Sequence, residues 1–306
     1  MRAPMRRLVL VAALLAAAAA SARAAAVTGA FLKIPVGARP ASLGGAYTAI
    51  ADGPSSTFWN PAGLMGSSRQ FSASNAQLFG DIVYSAASYS QPLSWAGPGA
   101  GIGLSVAYMN QGSVESRSAD RSASGSFGAS DMVVGLSFGR PAWEGASLGV
   151  TGKFIRSQIA DVSASGFAAD LGFKSATSIR GLTVGLAARN VGQGLKYVEE
   201  REHLPTTLSA GAALTLGPLT FVADATRHVY EQQLSWGLGT EAALIGSLTA
   251  RAGYSLQPTA PGSTLGGLGG LGAGLGLKAF GMQVDYAFTP MGDLGSAQRL
   301  TLSGRF

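Results

Sequence analysis

The sequence predicts an all-β fold, a transmembrane antiparallel β-barrel of about 14 strands with an N-terminal lumenal hatch. Three observations support this prediction: an N-terminal export signal, apolar residues at every second position over most of the chain, and a polar opposite face. Such alternation is typical of strands, because successive side chains point to opposite faces. We therefore predict a signal peptide in residues 1–24, a hatch in residues 25–68 and the barrel in residues 69–306.

The first 24 residues have the order of a secretory signal peptide. Three arginines precede an apolar run from Leu8 to Ala20, and an A-x-A cleavage site ends at Ala24. The run is too short for a membrane-spanning helix, which needs about 20 apolar residues. Removal of the signal takes four of the 22 basic residues and leaves 18 against 16 acidic residues, so the charge gives no case for nucleic-acid binding.

The C-terminal segments show the alternation most clearly. Leu300 and Leu302 share one face of the last segment, whereas Arg299 and Thr301 share the other. A soluble sandwich also alternates, but here the polar face carries charges near strand middles, so we expect it to line a lumen while the apolar face meets lipid. The charged residues predicted to face the lumen are Lys153, Asp170, Lys174, Arg189, Asp224, Glu241, Arg251, Asp285 and Arg299.

Connection lengths alternate along the chain, as expected when short periplasmic turns take turns with longer external loops. Short connections are predicted near residues 140–145, 175–180, 217–218, 245–246 and 280–281. Longer ones are predicted at residues 111–128, 157–165, 191–205, 227–233, 257–267 and 289–297. Phe306, an aromatic C-terminus on an alternating strand, looks like the signal that outer-membrane assembly machinery reads.

Residues 25–68 do not alternate. Asp52 or Gly53 can cap a short helix that has Pro54 in its first turn, where proline costs no hydrogen bond. Pro61 is expected to end this helix, because the residue before a proline disfavours the helical region. Asn60 is expected to satisfy buried polar groups. Phe58 and Trp59, directly before it, are expected to pack against the inner wall of the barrel.

This segment resembles the N-terminus of the PorV/PorQ-like outer-membrane proteins, relatives of the FadL long-chain fatty-acid transporters. The resembling residues are Phe31–Gly37, Gly44, Gly45, Ala46, Ala51, Asp52, Trp59, Asn60, Pro61, Ala62, Gly63 and Leu64, with a later stretch from Asn190 to Gly211. The resemblance implies a bacterial outer-membrane protein whose N-terminal segment folds into the lumen as a hatch. A fourteen-strand lumen is too wide for side chains alone to fill, and an inward glycine row leaves room for backbone: Gly270, Gly272, Gly274 and Gly276.

Two functions follow from the resemblance. The first is a FadL-like transporter or channel for hydrophobic small molecules, opened by a shift of the hatch. The second is a PorV-like component of type IX protein secretion and cell-surface attachment. Besides outer-membrane lipids and assembly machinery, the expected partner is accordingly a hydrophobic ligand or a secreted protein cargo. Short external loops weigh against the first function.

The sequence indicates no enzymatic, metal or cofactor site. Gly267, Gly269 and Gly272 match the G-x-G-x-x-G pattern, but the segment alternates as a strand and no helix follows. His203 and His228, the two histidines of the chain, lack the spacing of a zinc site. We expect structural roles for both.

Overall fold

Fourteen antiparallel strands close into a barrel, in which β1 pairs with β16. The structure, a computed structural model, describes residues 25–66, 68–117, 123–197, 201–256, 270–292 and 295–306, so the predicted signal peptide lies outside the described residues. The barrel strands are β1 (Gln70–Gln77), β2 (Val83–Pro92), β3 (Gly101–Arg117), β4 (Ala123–Trp143), β5 (Ala146–Ile159), β6 (Val162–Ala176), β7 (Leu182–Gly192), β10 (Thr207–Leu216), β11 (Leu219–His228), β12 (Gln233–Ile245), β13 (Leu248–Leu256), β14 (Leu271–Ala279), β15 (Met282–Pro290) and β16 (Ser296–Arg305). The predicted fold class and strand number are confirmed.

The two faces of each strand differ in exposure as the alternation predicted. Leu300 and Leu302 on β16 are exposed on the outer wall, whereas Arg299 between β15 and β1 is buried, with 5% of its surface accessible. A closed barrel satisfies its backbone hydrogen bonds between strands, which allows it to span hydrocarbon. In the part of the chain that the structure describes, no helix has both the length and the apolar character to span a membrane.

The two barrel ends differ in their connections. At the base, where β1 begins and β16 ends, two-residue turns join β10 to β11 and β14 to β15. At the top, a longer connection between β7 and β10 carries the small sheet of β8 (Leu195–Lys196) and β9 (Arg201–Glu202). In outer-membrane barrels the short turns face the periplasm.

Two predicted long loops at the top are wrong. β5 and β6 stay paired up to Ile159 and Val162, so the connection predicted at residues 157–165 is a two-residue turn. β3 and β4 likewise extend through much of residues 111–128. Where a hairpin extends beyond the lipid, both of its faces meet water, so apolar and polar residues no longer alternate. The backbone hydrogen bonds between its two strands nevertheless continue.

The N-terminal segment, residues 25–66, runs from the top of the barrel to its base. The Ala25 N–H donates to the Tyr230 carbonyl at the top (2.9 Å), and the Ala62 carbonyl accepts from the Ser147 hydroxyl near the base (2.8 Å). Between these ends lie the short helices α1 (Ala38–Ser42) and α2 (Ser56–Trp59) and the 3-10 turns Ala30–Lys33, Gly53–Ser55 and Pro61–Gly63.

The local helix prediction is partly wrong. Pro54 lies in a 3-10 turn before α2, and α2 ends before Asn60, whose backbone is extended. The Asp52 side chain makes no capping hydrogen bond. Its carboxylate instead lies 3.3 Å from Nη1 of Arg39.

Candidate functional site

Glycines allow the N-terminal segment to touch the barrel wall backbone to backbone. A Cβ atom on Gly149 of β5 would lie 2.2 Å from the carbonyl carbon of Pro61, and one on Gly253 of β13 would lie 2.2 Å from that of Leu43. Gly44 has a positive φ of +65°, and its Cβ would lie 2.5 Å from the Tyr254 carbonyl oxygen. No other residue type fits these approaches.

Two members of the predicted glycine row, both on β14, also face the segment closely. A Cβ on Gly272 would lie 2.5 Å from the Ala41 carbonyl oxygen, and one on Gly274 would lie 2.6 Å from Cβ of Ser42. Gly276 faces the Arg251 guanidinium instead, while Gly270 lies at the top against the β13 backbone. Gly267 and Gly269 of the formal nucleotide-binding pattern lie outside the described residues.

A buried carboxylate holds the middle of the segment. Oδ2 of Asp224 on β11 accepts the backbone N–H groups of Tyr47 (2.9 Å) and Thr48 (2.8 Å). From the other side, Nδ2 of Asn60 donates to the carbonyls of Thr48 (2.8 Å) and Phe173 (3.0 Å). These bonds satisfy backbone groups that have little access to water, where an unpaired group is costly.

The rest of the tryptophan-centred motif packs within the segment. The indole Nε1 of Trp59 donates to the Val36 carbonyl (3.1 Å), and its ring meets Tyr47 edge to face at 5.6 Å. The guanidinium of Arg189 lies 5.0 Å from the Trp59 ring centroid. Burial raises the pKa of Tyr47 to about 12. Ala46, Ala62 and Gly63 are buried, and Gly45 has a positive φ of +78°.

A chain of ion pairs joins α1 to the wall. Glu241 accepts from Arg39 of α1 (2.8 Å) and from Arg251 of β13 (2.6 Å), and Arg251 in turn reaches Asp285 of β15 (2.7 Å). The alternation of charge sign leaves each group beside an opposite charge, which lowers the cost of burying it.

A second polar group lies higher on the wall. Nζ of Lys153 is 2.6 Å from the Asp170 carboxylate and donates to the Asn190 side chain at 2.8 Å.

Two further charged residues of the wall have partners outside this group. Arg299 is buried and donates to the Thr289 hydroxyl (2.7 Å). Lys174 donates to the carbonyl of Ala51 in the segment (3.0 Å). All nine charged residues predicted to face the lumen are buried or half-buried.

Two cavities flank the segment. The outer cavity, about 1270 Å³, opens near the top and is lined largely by apolar side chains, including Phe31, Leu32, Ile34, Tyr84, Met109 and Val133. The inner cavity, about 530 Å³, lies near the base beside α1 and the inner faces of β1 and β2. Val36 and Phe58 line both cavities. The sequence predicted that Phe58 packs against the inner wall, and it packs against a cluster that includes Tyr84 and Ala86. No sequence signal separated Val36 from the other apolar residues of the segment.

The histidines have neighbours other than metals. His203 stacks on the Tyr230 ring at 3.9 Å, and Nδ1 of His228 lies 3.6 Å from the Glu231 carboxylate. Among the described residues, no group of three or more His, Cys, Asp or Glu side chains is arranged to hold a metal ion.

Phe306 lies on the outer surface at the base, with 69% of its area exposed. Its N–H donates to the Arg69 carbonyl (3.0 Å), and its ring lies 6.4 Å from Phe71 and 6.3 Å from Tyr89. Its role as an assembly signal stays a prediction.

Solved structures resemble this barrel over most of its length. The toluene transporter TbuX of Ralstonia pickettii has 14% identity and a TM-score of 0.63, with 89% of this chain and 98% of that chain covered. The toluene transporter TodX of Pseudomonas putida has 12% identity and a TM-score of 0.63, with coverage of 86% and 95%. A Pseudomonas aeruginosa FadL homologue has 12% identity and a TM-score of 0.58, with coverage of 89% and 98%. This chain shares the fold of these outer-membrane proteins.

Sequence comparison adds nothing to that likeness, since no protein-family profile and no curated protein matches the chain. At such low identities the likeness shows the fold alone. A closed fourteen-strand barrel with an apolar outer face and this fold belongs in the bacterial outer membrane.

Proposed function

We propose that this chain is a FadL-like channel that passes hydrophobic small molecules across the outer membrane. The observation that carries the proposal is the outer cavity, open near the top and lined by apolar side chains of both segment and wall. A cavity of about 150 Å³ is enough to hold benzene, so both cavities have room for a monoaromatic ring. The structural neighbours named as toluene transporters support this ligand class.

The apolar lining makes entry of such a ligand energetically favourable. Each Å² of apolar surface that leaves water contributes roughly 25 cal/mol, and the outer cavity offers side chains such as Phe31, Ile34 and Met109 as contacts. Several charged residues of the wall are paired with one another or with the segment, as Lys153 is with Asp170, so a neutral ligand does not have to separate them from water.

We further propose that residues 25–66 act as a hatch that separates the two ends of the lumen. The segment's contacts with β5, β6, β11 and β13 support this role. Membership in the PorV/PorQ-like group is proposed on the N-terminal motif alone, and its secretion role is the weaker alternative because nothing in the fold neighbours favours it. The proposal includes no enzymatic reaction and no cofactor.

Uptake of radiolabelled toluene tests the proposal. The full-length protein is expressed in Gram-negative cells that lack their own hydrocarbon channel and that carry a toluene-oxidising enzyme to trap entering toluene. We expect uptake severalfold above that of cells expressing a porin of equal abundance. Uptake equal to the porin control, together with copurification of an exported protein, would contradict the channel function and favour the secretion alternative.

A further inference from the structure

One pair of side chains separates the outer and inner cavities. Val36 and Phe58 line both, and among the described residues no other residue does. Both side chains are half-buried and pack against an apolar cluster that includes Tyr84 and Ala86 of β2. The boundary between the cavities therefore lies between the N-terminal segment and the β2 side of the wall.

On β2 and on β16, two successive inward-facing residues line different cavities. On β2, Tyr84 lines the outer cavity and Ala86, the next inward residue, lines the inner one. On β16 the same step runs from Arg299 to Thr301. Ser74 of β1 pairs with both Ala86 and Thr301, so these three residues stand at one height.

Directly below this boundary, β1 and β2 turn small side chains toward the inner cavity. Ser72 and Ser74 of β1 and Ala86 and Ser88 of β2 line the inner cavity, and we call them the serine-alanine sector. Large side chains at the boundary come from the segment side, from Tyr84 and from Arg299, whose guanidinium is held by the Thr289 hydroxyl (2.7 Å). On the segment side, Val36 and Phe58 are the groups whose size sets the width of the gap.

The backbone on either side of both residues is held in place. The N–H of Ala38, two residues after Val36, donates to the Thr301 hydroxyl (2.9 Å). Trp59, next to Phe58, donates to the Val36 carbonyl (3.1 Å) and has the Arg189 guanidinium over its ring. Side-chain rotation at the boundary leaves these contacts intact, whereas displacement of the segment breaks the two that join it to the wall, at Thr301 and Arg189.

We infer that ligand passes from the outer to the inner cavity between Val36 and Phe58 on one side and the serine-alanine sector on the other, while the segment stays seated. Val36 and Phe58 are thus the residues that select ligands by size. This inference rests on the proposed channel function, but it differs from a hatch that shifts to open the lumen.

Ion conductance of the full-length protein in planar bilayers tests the path without reference to any ligand. The double variant Val36→Ala/Phe58→Ala is expected to conduct potassium chloride severalfold better than the parent protein. Val222→Ala shortens a buried apolar side chain of β11 that lines neither of the two cavities, and it is expected to leave conductance unchanged. A double variant that conducts like the parent contradicts the inference.

The wall side is tested with matched phenylalanines. Adding Ala86→Phe to the double variant should return conductance to the parent level, whereas Ala87→Phe should not, because Ala87 is exposed on the opposite face of β2. Equal effects of the two changes contradict the path. If Ala86→Phe fails to give a heat-modifiable barrel, Ser74→Phe against Ala73→Phe on β1 makes the same comparison.

A disulfide distinguishes side-chain gating from segment displacement. The chain has no cysteine, and the Ser147 hydroxyl of β5 donates to the Ala62 carbonyl at 2.8 Å, so these residues of wall and segment are in direct contact away from both cavities. Ala62→Cys/Ser147→Cys in the Val36→Ala/Phe58→Ala background should conduct equally when oxidised and when reduced. A fall in conductance on oxidation overturns the inference. Conductance that behaves as expected while toluene uptake fails instead contradicts only the proposed function.

Discussion

Two parts of the inner wall are both built from small residues, yet they meet the N-terminal segment differently. In the glycine sector, Gly149, Gly253 and Gly272 touch the segment's backbone, at distances where a Cβ would overlap it. The serine-alanine sector lines a cavity instead. In the first sector, glycines allow the backbone of the segment to contact the wall. In the second, serine and alanine side chains face a cavity. The alternation pattern alone treats the two as equal.

The largest expected effect comes from filling the glycine sector. Gly149→Ala places a Cβ 2.2 Å from a carbonyl carbon of Pro61, and neither backbone can move far. We expect a loss of about 3 kcal/mol of unfolding free energy, seen as loss of the compact form on unheated denaturing gels.

Gly152→Ala is the matched control, because Gly152 lies on the same strand with nothing within 4 Å of its Cβ position. If both variants keep the compact form equally well, close packing of the segment on β5 is disproved.

The next effect concerns the carboxylate that holds the segment. Asp224→Asn keeps an oxygen that accepts the N–H groups of Tyr47 and Thr48 but removes its charge, which weakens the two hydrogen bonds by about 2 kcal/mol in total. We expect a lower urea midpoint in detergent. Asp161→Asn, at an exposed turn, should leave the midpoint unchanged. The same midpoint for both variants contradicts the anchoring role.

Serine-to-alanine changes compare the two sectors directly. Ser147→Ala on β5 removes the hydrogen bond to the Ala62 carbonyl and should cost about 1 kcal/mol. Ser72→Ala in the serine-alanine sector should cost less than about 0.5 kcal/mol. Urea unfolding of both variants measures the difference, and a reversed order contradicts the assignment of the sectors.

The smallest effect is expected at the ion pair of α1. A double-mutant cycle with Arg39→Gln and Glu241→Gln should give a coupling energy of about 0.5 kcal/mol, because the pair is half-buried and partly screened. Coupling should fall as salt concentration rises. A coupling that does not depend on salt points to packing rather than charge.

The sequence predicted the fold well because alternation reports directly which face of a strand meets lipid. Leu300, Val284 and Leu275 are exposed and Arg299 and Asp285 are buried, as the period of two required. Turn positions were less accurate, as between Ile159 and Val162, because hydrogen bonding continues where alternation stops.

The candidate site was less predictable from sequence. The motif around Asn60 could be placed near polar groups, but its partners Thr48 and Phe173 contribute backbone carbonyls, which carry no residue signature. Val36 and Phe58 matter because of the space on both sides of them. Space between elements that are distant in sequence leaves no local pattern.

The central claim, a seated segment beside an open inner wall, is tested most directly by cysteine accessibility. Ala62→Cys and Ser74→Cys are compared in the folded full-length protein with a small water-soluble methanethiosulfonate reagent. Ala62 is 1% exposed and packs against β5, whereas Ser74 lines the inner cavity. The account predicts fast labelling at position 74 and slow labelling at position 62 until the barrel is denatured. Fast labelling at both positions in the folded protein would contradict it.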